Sequence, residues 1–103
     1  KENIIMTYQE IVNSSDVKEL NKILPVVQRA HGSNHPEIYR VQEIYTDILK
    51  GMKLGKSNEE MTKLLNELKS ITGNFTVPAD VCATFCRAYE LLAKLTEEIS
   101  KAD

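Results

Sequence analysis

Apolar side chains return every three or four positions along nearly the whole chain, the period of an amphipathic helix. Nowhere do they alternate with polar residues for long enough to make a strand. Ile4, Ile5, Tyr8, Ile11 and Val12 mark a first stretch, after which Asn13, Ser14, Ser15 and Asp16 supply turn and N-cap chemistry. A second helix carries Val17, Leu20, Ile23, Leu24, Val27 and Ala30 on its apolar face, and Gly32 stands where a left-handed C-cap would end it. Pro25 falls inside this helix. It has no amide hydrogen to donate and its ring crowds the preceding turn, which predicts a kink or a split near residues 21–25.

Asn34-His35-Pro36-Glu37 opens a third helix, with Asn34 as N-cap, proline early in the first turn and a carboxylate at N3. Its apolar stripe is Ile38, Val41, Ile44, Tyr45, Ile48, Leu49 and Met52, and the segment from Gly51 to Lys56 ends it. Ser57-Asn58-Glu59-Glu60 reads as a capping box for a helix that buries Met61, Leu64, Leu65, Leu68 and Ile71 and stops at Gly73. The last helix is expected to begin around Pro78, with Asp80 in its first turn. Val81, Phe85, Ala88, Leu92, Leu95 and Ile99 form a seam on it at alternating four- and three-residue steps. Short connections between helices of this length predict an all-α fold, an antiparallel four-helix bundle with its first helix split or kinked. At 103 residues the chain is long enough for one core but not two, so a single domain over residues 1–103 is expected.

Composition narrows the classes of function. With 42% hydrophobic and 27% charged residues the chain should fold. A net charge of −2, with acids and bases interspersed, gives no electrostatic reason to bind nucleic acid or an anionic membrane. There is no apolar run long enough to span a bilayer, and KENIIMTYQE lacks the apolar core of a signal peptide, so a cytoplasmic location is the expectation. Lys1 at the start is taken as the mark of a trimmed chain. The only two cysteines, Cys82 and Cys86, lie four apart, a separation that favours reduced thiols over a disulfide and agrees with that location.

Candidate chemistry is sparse. His31 and His35 are the only histidines; two imidazoles are too few for a stable metal site without carboxylate or thiolate support. The simpler reading has His31 near the last carbonyls of one helix and His35 starting the next. Cys82 and Cys86 are read as small hydrophobes on one helix face or its flank, with redox sensing open to whichever thiol is exposed. Glu59 with Glu60, and Glu97 with Glu98, are adjacent in helices and point about 100° apart, so neither pair converges on one substrate atom. Nothing has the pattern of a catalytic triad, a phosphate-binding glycine loop or a basic aromatic surface, and no enzymatic activity is expected.

Two blocks carry a family resemblance. LPVVQRAHGSNHPEIYRVQEIYTDILKGM, from Leu24 to Met52, resembles the first part of the hemerythrin-like domain of the iron–sulfur cluster repair di-iron proteins, where a VHG-x-x-HP turn joins two bundle helices. LLNELKSITGNFTVPADVCATFCRAYELLAKL, from Leu64 to Leu95, resembles the same family's L-x-x-L-T-x-x-F-x-x-P-x-x-A-C-x-T segment and the helix after it. The resemblance implies a four-helix bundle whose inward histidines and carboxylates hold two irons, in repair of clusters damaged by nitric oxide or oxidants. The ligand positions do not follow. The first-helix histidine falls at or beside Glu10, the H-x-x-x-E pair expected after Met52 is replaced by LGKSNEE, and the histidine opening the third bundle helix matches Asn58. The last ligand histidine falls at about Ala102, and its glutamate falls past Asp103. The expectation is therefore a metal-free, cofactor-free and non-catalytic relative, acting by binding a protein partner or itself. The alternative is iron–sulfur repair or iron handling in nitrosative or oxidative stress, with metal held between subunits by His31, His35, Glu10, Cys82 or Cys86.

Overall fold

The computed structural model describes residues 5–102, so Ile4 of the first apolar stretch lies outside the described residues. Five helices follow one another: α1 (Tyr8–Val12), α2 (Ser15–His31), α3 (Glu37–Leu54), α4 (Asn58–Ile71) and α5 (Ala83–Ser100), and no strand occurs among the described residues. A radius of gyration of 13.4 Å matches the roughly 13 Å of a compact chain of this length. No helix among the described residues is long and apolar enough to cross a membrane.

Helix starts are set by side chains that satisfy the free amides of the first turn. At α1, Thr7 Oγ1 accepts the Glu10 amide at 3.2 Å while the Glu10 carboxylate accepts the Thr7 amide at 3.0 Å, a complete capping box. Ser14 caps α2 through the Val17 amide, as the Asn13–Asp16 cluster predicts. Ser57 caps α4 through the Glu60 amide, and the Glu60 carboxylate accepts from the Ser57 hydroxyl at 3.3 Å rather than completing the reciprocal bond of a capping box.

Several local expectations are corrected. Helix α2 runs unbroken through Pro25, and the interruption falls earlier, at Asn13 and Ser14. Gly32 is right-handed, with φ −58°. Ala30 and Ile5 are exposed, so neither belongs to the core. Asn34 does not cap α3. Its amide and that of His35 both donate back to the His31 carbonyl, and Pro36 stands at the helix start with no side-chain cap bond. Helix α5 starts at Ala83, five residues beyond Pro78, because Cys82 is the extended residue before it and Asp80 is engaged elsewhere.

The core joins all five helices and follows the predicted stripes closely. Leu20, Leu24, Ile38, Val41, Ile44, Ile48, Leu68, Phe85, Ala88 and Leu92 are essentially sealed from solvent, with Tyr45 and Tyr89 among them. Ile23, Leu49, Leu64, Ile71 and Val81 are half-buried at its margin. Helix α2 packs on α3 and α5, α3 on α4, and the short α1 rests on α3 and α5. The paired helices run in opposite directions. Along α2 the residues Asp16, Glu19 and His31 meet Lys94, Arg87 and Cys82 of the α5 side in descending order. Arg40 and Gly51 of α3 likewise face Glu67 and Met61 of α4.

Candidate functional site

The end of α2, the turn after it and the start of α5 bring four chemically capable side chains together. His31 is the last residue of α2 and His35 lies in the α2–α3 turn; Asp80 and Cys82 come from the loop that delivers α5. The buried Phe85 ring supports both imidazoles edge-on, with centroid distances of 5.5 Å to His31 and 5.8 Å to His35. Because Phe85 is fixed in the core, it fixes where these two rings sit.

His31 Nε2 lies 3.2 Å from Cys82 Sγ. Cys82 is exposed and stands at the N-cap of α5, near the Phe85 and Thr84 amides of the first turn but without a side-chain cap hydrogen bond to them. The His31 hydrogen bond, then the Phe85 amide, outweigh partial desolvation and pull the thiol down to about 7. The structure thus places Cys82 at a helix N-terminus rather than among buried hydrophobes. Cys86 sits one turn further on, half-buried, and both thiols are free.

His35 is held differently. Its Nε2 is 2.9 Å from Asp80 Oδ1 and its Nδ1 is 3.2 Å from Glu37 Oε2. Partial burial alone would lower the imidazole, but the Asp80 carboxylate, and then that of Glu37, offset this and hold it above its ordinary value. The carboxylates therefore orient His35, while the thiol is served by His31, and the two rings stand 6.5 Å apart. The groups do not line up as thiol, base and orienting acid, the order that nucleophilic triads need.

Glu10 is far from this cluster. Its carboxylate closes the α1 capping box, and its neighbour Tyr8 shares a groove with Asn58, Ile99 and Ala102 at the opposite end of α5. That end is about 27 Å away along an 18-residue helix. Among the described residues no three His, Cys, Asp or Glu side chains are grouped so as to hold a metal ion. A di-iron centre of the hemerythrin kind would need inward-facing ligands, and the interior positions are occupied by aliphatic and aromatic side chains, so the residues present do not fit it. Asn58, aligned with one ligand position, instead accepts from the Tyr8 hydroxyl at 3.3 Å in the first turn of α4.

Sequence reasoning named His31, His35, Cys82 and Cys86 but had no means of pairing residues 51 apart, such as His31 and Cys82. It missed Asp80 as the partner of His35 because proline and aspartate just before an apolar run resemble a helix start. Comparison with known proteins finds no family model, no curated protein and no solved structure that matches this chain.

Proposed function

We propose that this chain is a metal-free four-helix bundle of hemerythrin-like kind, built from α2 to α5 and related to the iron–sulfur cluster repair proteins, and that it acts by binding a protein partner or a second copy of itself. The observation that carries the reading is the apolar interior. Leu20, Leu24, Ile38, Ile44, Ile48, Phe85 and Leu92 fill the space that ligands would need, and an ion placed there would lose its hydration without compensation. The scaffold persists while the chemistry of its centre does not, which leaves the surface to do the work. The cytoplasmic setting and a role under stress come with this family reading.

A second reading is favoured by the His31–Cys82 contact. An imidazole nitrogen and a sulfur 3.2 Å apart form half of a soft metal site, which two copies could complete between subunits for iron handling. Elemental analysis of protein purified without oxygen after growth in ample iron, combined with its mass in solution, tests both. Iron far below one per chain supports the metal-free reading; stoichiometric iron in a dimer supports the second. Metal-free protein that is strictly monomeric and captures no partner would remove the first.

A further inference from the structure

We propose that Cys82, paired with His31 at the start of α5, is a nucleophilic thiol that exchanges with low-molecular-weight disulfides and takes up the small thiol as a mixed disulfide. The site is a convergence of two distant parts of the chain, residues 31 and 82, and it rests on the metal-free reading, since an ion held between His31 and Cys82 would occupy the sulfur.

Three features of the geometry select this chemistry. The sulfur is exposed, so a small disulfide reaches it without a pocket having to open. The His31 ring, braced on buried Phe85, directs Nε2 at Sγ from 3.2 Å at the N-terminal end of α5, so a negative sulfur faces a fixed imidazole. The carboxylates of this cluster are engaged elsewhere: Asp80 and Glu37, whose charge would oppose a thiolate, are each bonded to His35. The titratable groups around the sulfur are therefore His31 from α2, His35 from the turn, Glu37 from α3 and Asp80 from its own loop.

The exchange balances without any other reactant. The Cys82 thiolate attacks one sulfur of RS–SR, a Cys82–SR bond forms as the S–S bond breaks, and RS⁻ leaves with the electron pair and takes a proton from water. The disulfide is the oxidant; the Cys82 sulfur is oxidised and one R-bearing sulfur is reduced. Attack is fastest for a thiol that titrates near ambient pH, because a lower value yields more thiolate but a weaker nucleophile. Cys82, titrating at about 7, sits at that optimum. Cys86, half-buried one turn along the same helix, is an internal control with the same sequence neighbourhood.

The test is to incubate the intact protein with oxidised glutathione from pH 5.5 to 9.5 and follow the adduct at each cysteine by peptide mass mapping. The adduct should form first at Cys82, with a rate that rises through a midpoint near 7. His31→Ala should slow it about threefold at neutral pH, since the roughly 16-fold loss of thiolate is partly offset by a more basic sulfur. The same variant should overtake the unaltered protein at the alkaline end, so the two profiles cross. Equal rates at Cys82 and Cys86, or a His31→Ala profile superimposed on the unaltered one, would overturn the proposal. Should His31→Ala fail to fold by circular dichroism, the unaltered profile still decides: a midpoint at the ordinary thiol value of about 8.5 removes the idea.

Discussion

The hydroxyl end of Tyr39 lies against Gly32, so closely that a methyl group on Gly32 would collide with the Tyr39 hydroxyl and stand 2.6 Å from Tyr39 Cζ and 2.5 Å from the Gln28 carbonyl oxygen. Glycine is required here by this close approach, and not by the left-handed backbone that its place at a helix end suggests. Gly32→Ala should therefore destabilise the fold by about 1–3 kcal/mol, the usual cost of forcing atoms into a filled site. Tyr39→Ala should recover part of that loss in a urea-melt double-mutant cycle, and the clash with the Gln28 carbonyl should keep the rest.

Tyr45 is buried against α2, and its hydroxyl donates to Asn21 Oδ1 at 2.9 Å with the Val17 carbonyl at 3.3 Å. Burial also pushes the phenol well above its ordinary value. Tyr45→Phe should cost about 0.5–1.5 kcal/mol in chemical denaturation, because the acceptors lose a donor while the ring still packs. A neutral result would mean that water replaces the hydroxyl at no cost.

His35 makes a signed prediction for pH. Its imidazole is held above the ordinary value in the folded state, so its contribution to stability is complete below the unfolded value of about 6.5 and is lost as pH rises through the folded one. Cys82 has the opposite sign: its lowered thiol stabilises the fold above the unfolded value and loses that contribution as pH falls through about 7. Thermal melts in a Cys82→Ser background should therefore show the melting temperature falling as pH rises from about 6 to about 8. Asp80→Asn should flatten that slope, and an unchanged slope would mean that the carboxylate does not hold the ring.

Phe85 is fully buried and braces both histidines. Phe85→Ala should cost about 3–5 kcal/mol, a large part of the stability of a domain this size. Phe85→Leu keeps most of the volume and should fold. In that variant the imidazole proton resonances of His31 and His35 should both shift, because they lose the same aromatic edge.

The fold was legible wherever periodicity alone decided. All of Ile38, Val41, Ile44, Tyr45, Ile48 and Met52 lie in the core as their spacing predicts. Helix ends were harder, because caps compete locally: Thr7-Tyr8-Gln9-Glu10 carries the capping-box pattern as clearly as Ser57–Glu60, yet it lies inside an apolar stretch whose period masks it. Pro25 predicted a break, and α2 continues through it while Leu24 and Val27 on either side are held in the core, so tertiary packing overrides a local cost. The candidate site was legible only as residue types. Which histidine meets the thiol and which meets the carboxylates depends on the register between α2 and the α5 loop, a long-range quantity that no local pattern encodes.

After α4 the backbone does something unusual. Gly73, Asn74 and Phe75 take φ values of 58°, 58° and 63° in succession, with Thr72 Oγ1 accepting the Phe75 amide at 3.0 Å and the Phe75 ring edge-on to Tyr89. For about one turn the chain is locally the mirror image of the helices on either side, and an L-residue there carries a steric penalty of roughly 1–2 kcal/mol. Gly55 at the end of α3 is left-handed alone, whereas here three residues in succession are. At Gly73 a D-alanine introduced by chemical synthesis should suit the left-handed backbone and restrict the unfolded chain, whereas L-alanine should strain the turn even though its added carbon would meet nothing closer than 3.9 Å. The connection that carries the chain from α4 to α5 thus opens on three residues of inverted handedness before the extended path into α5.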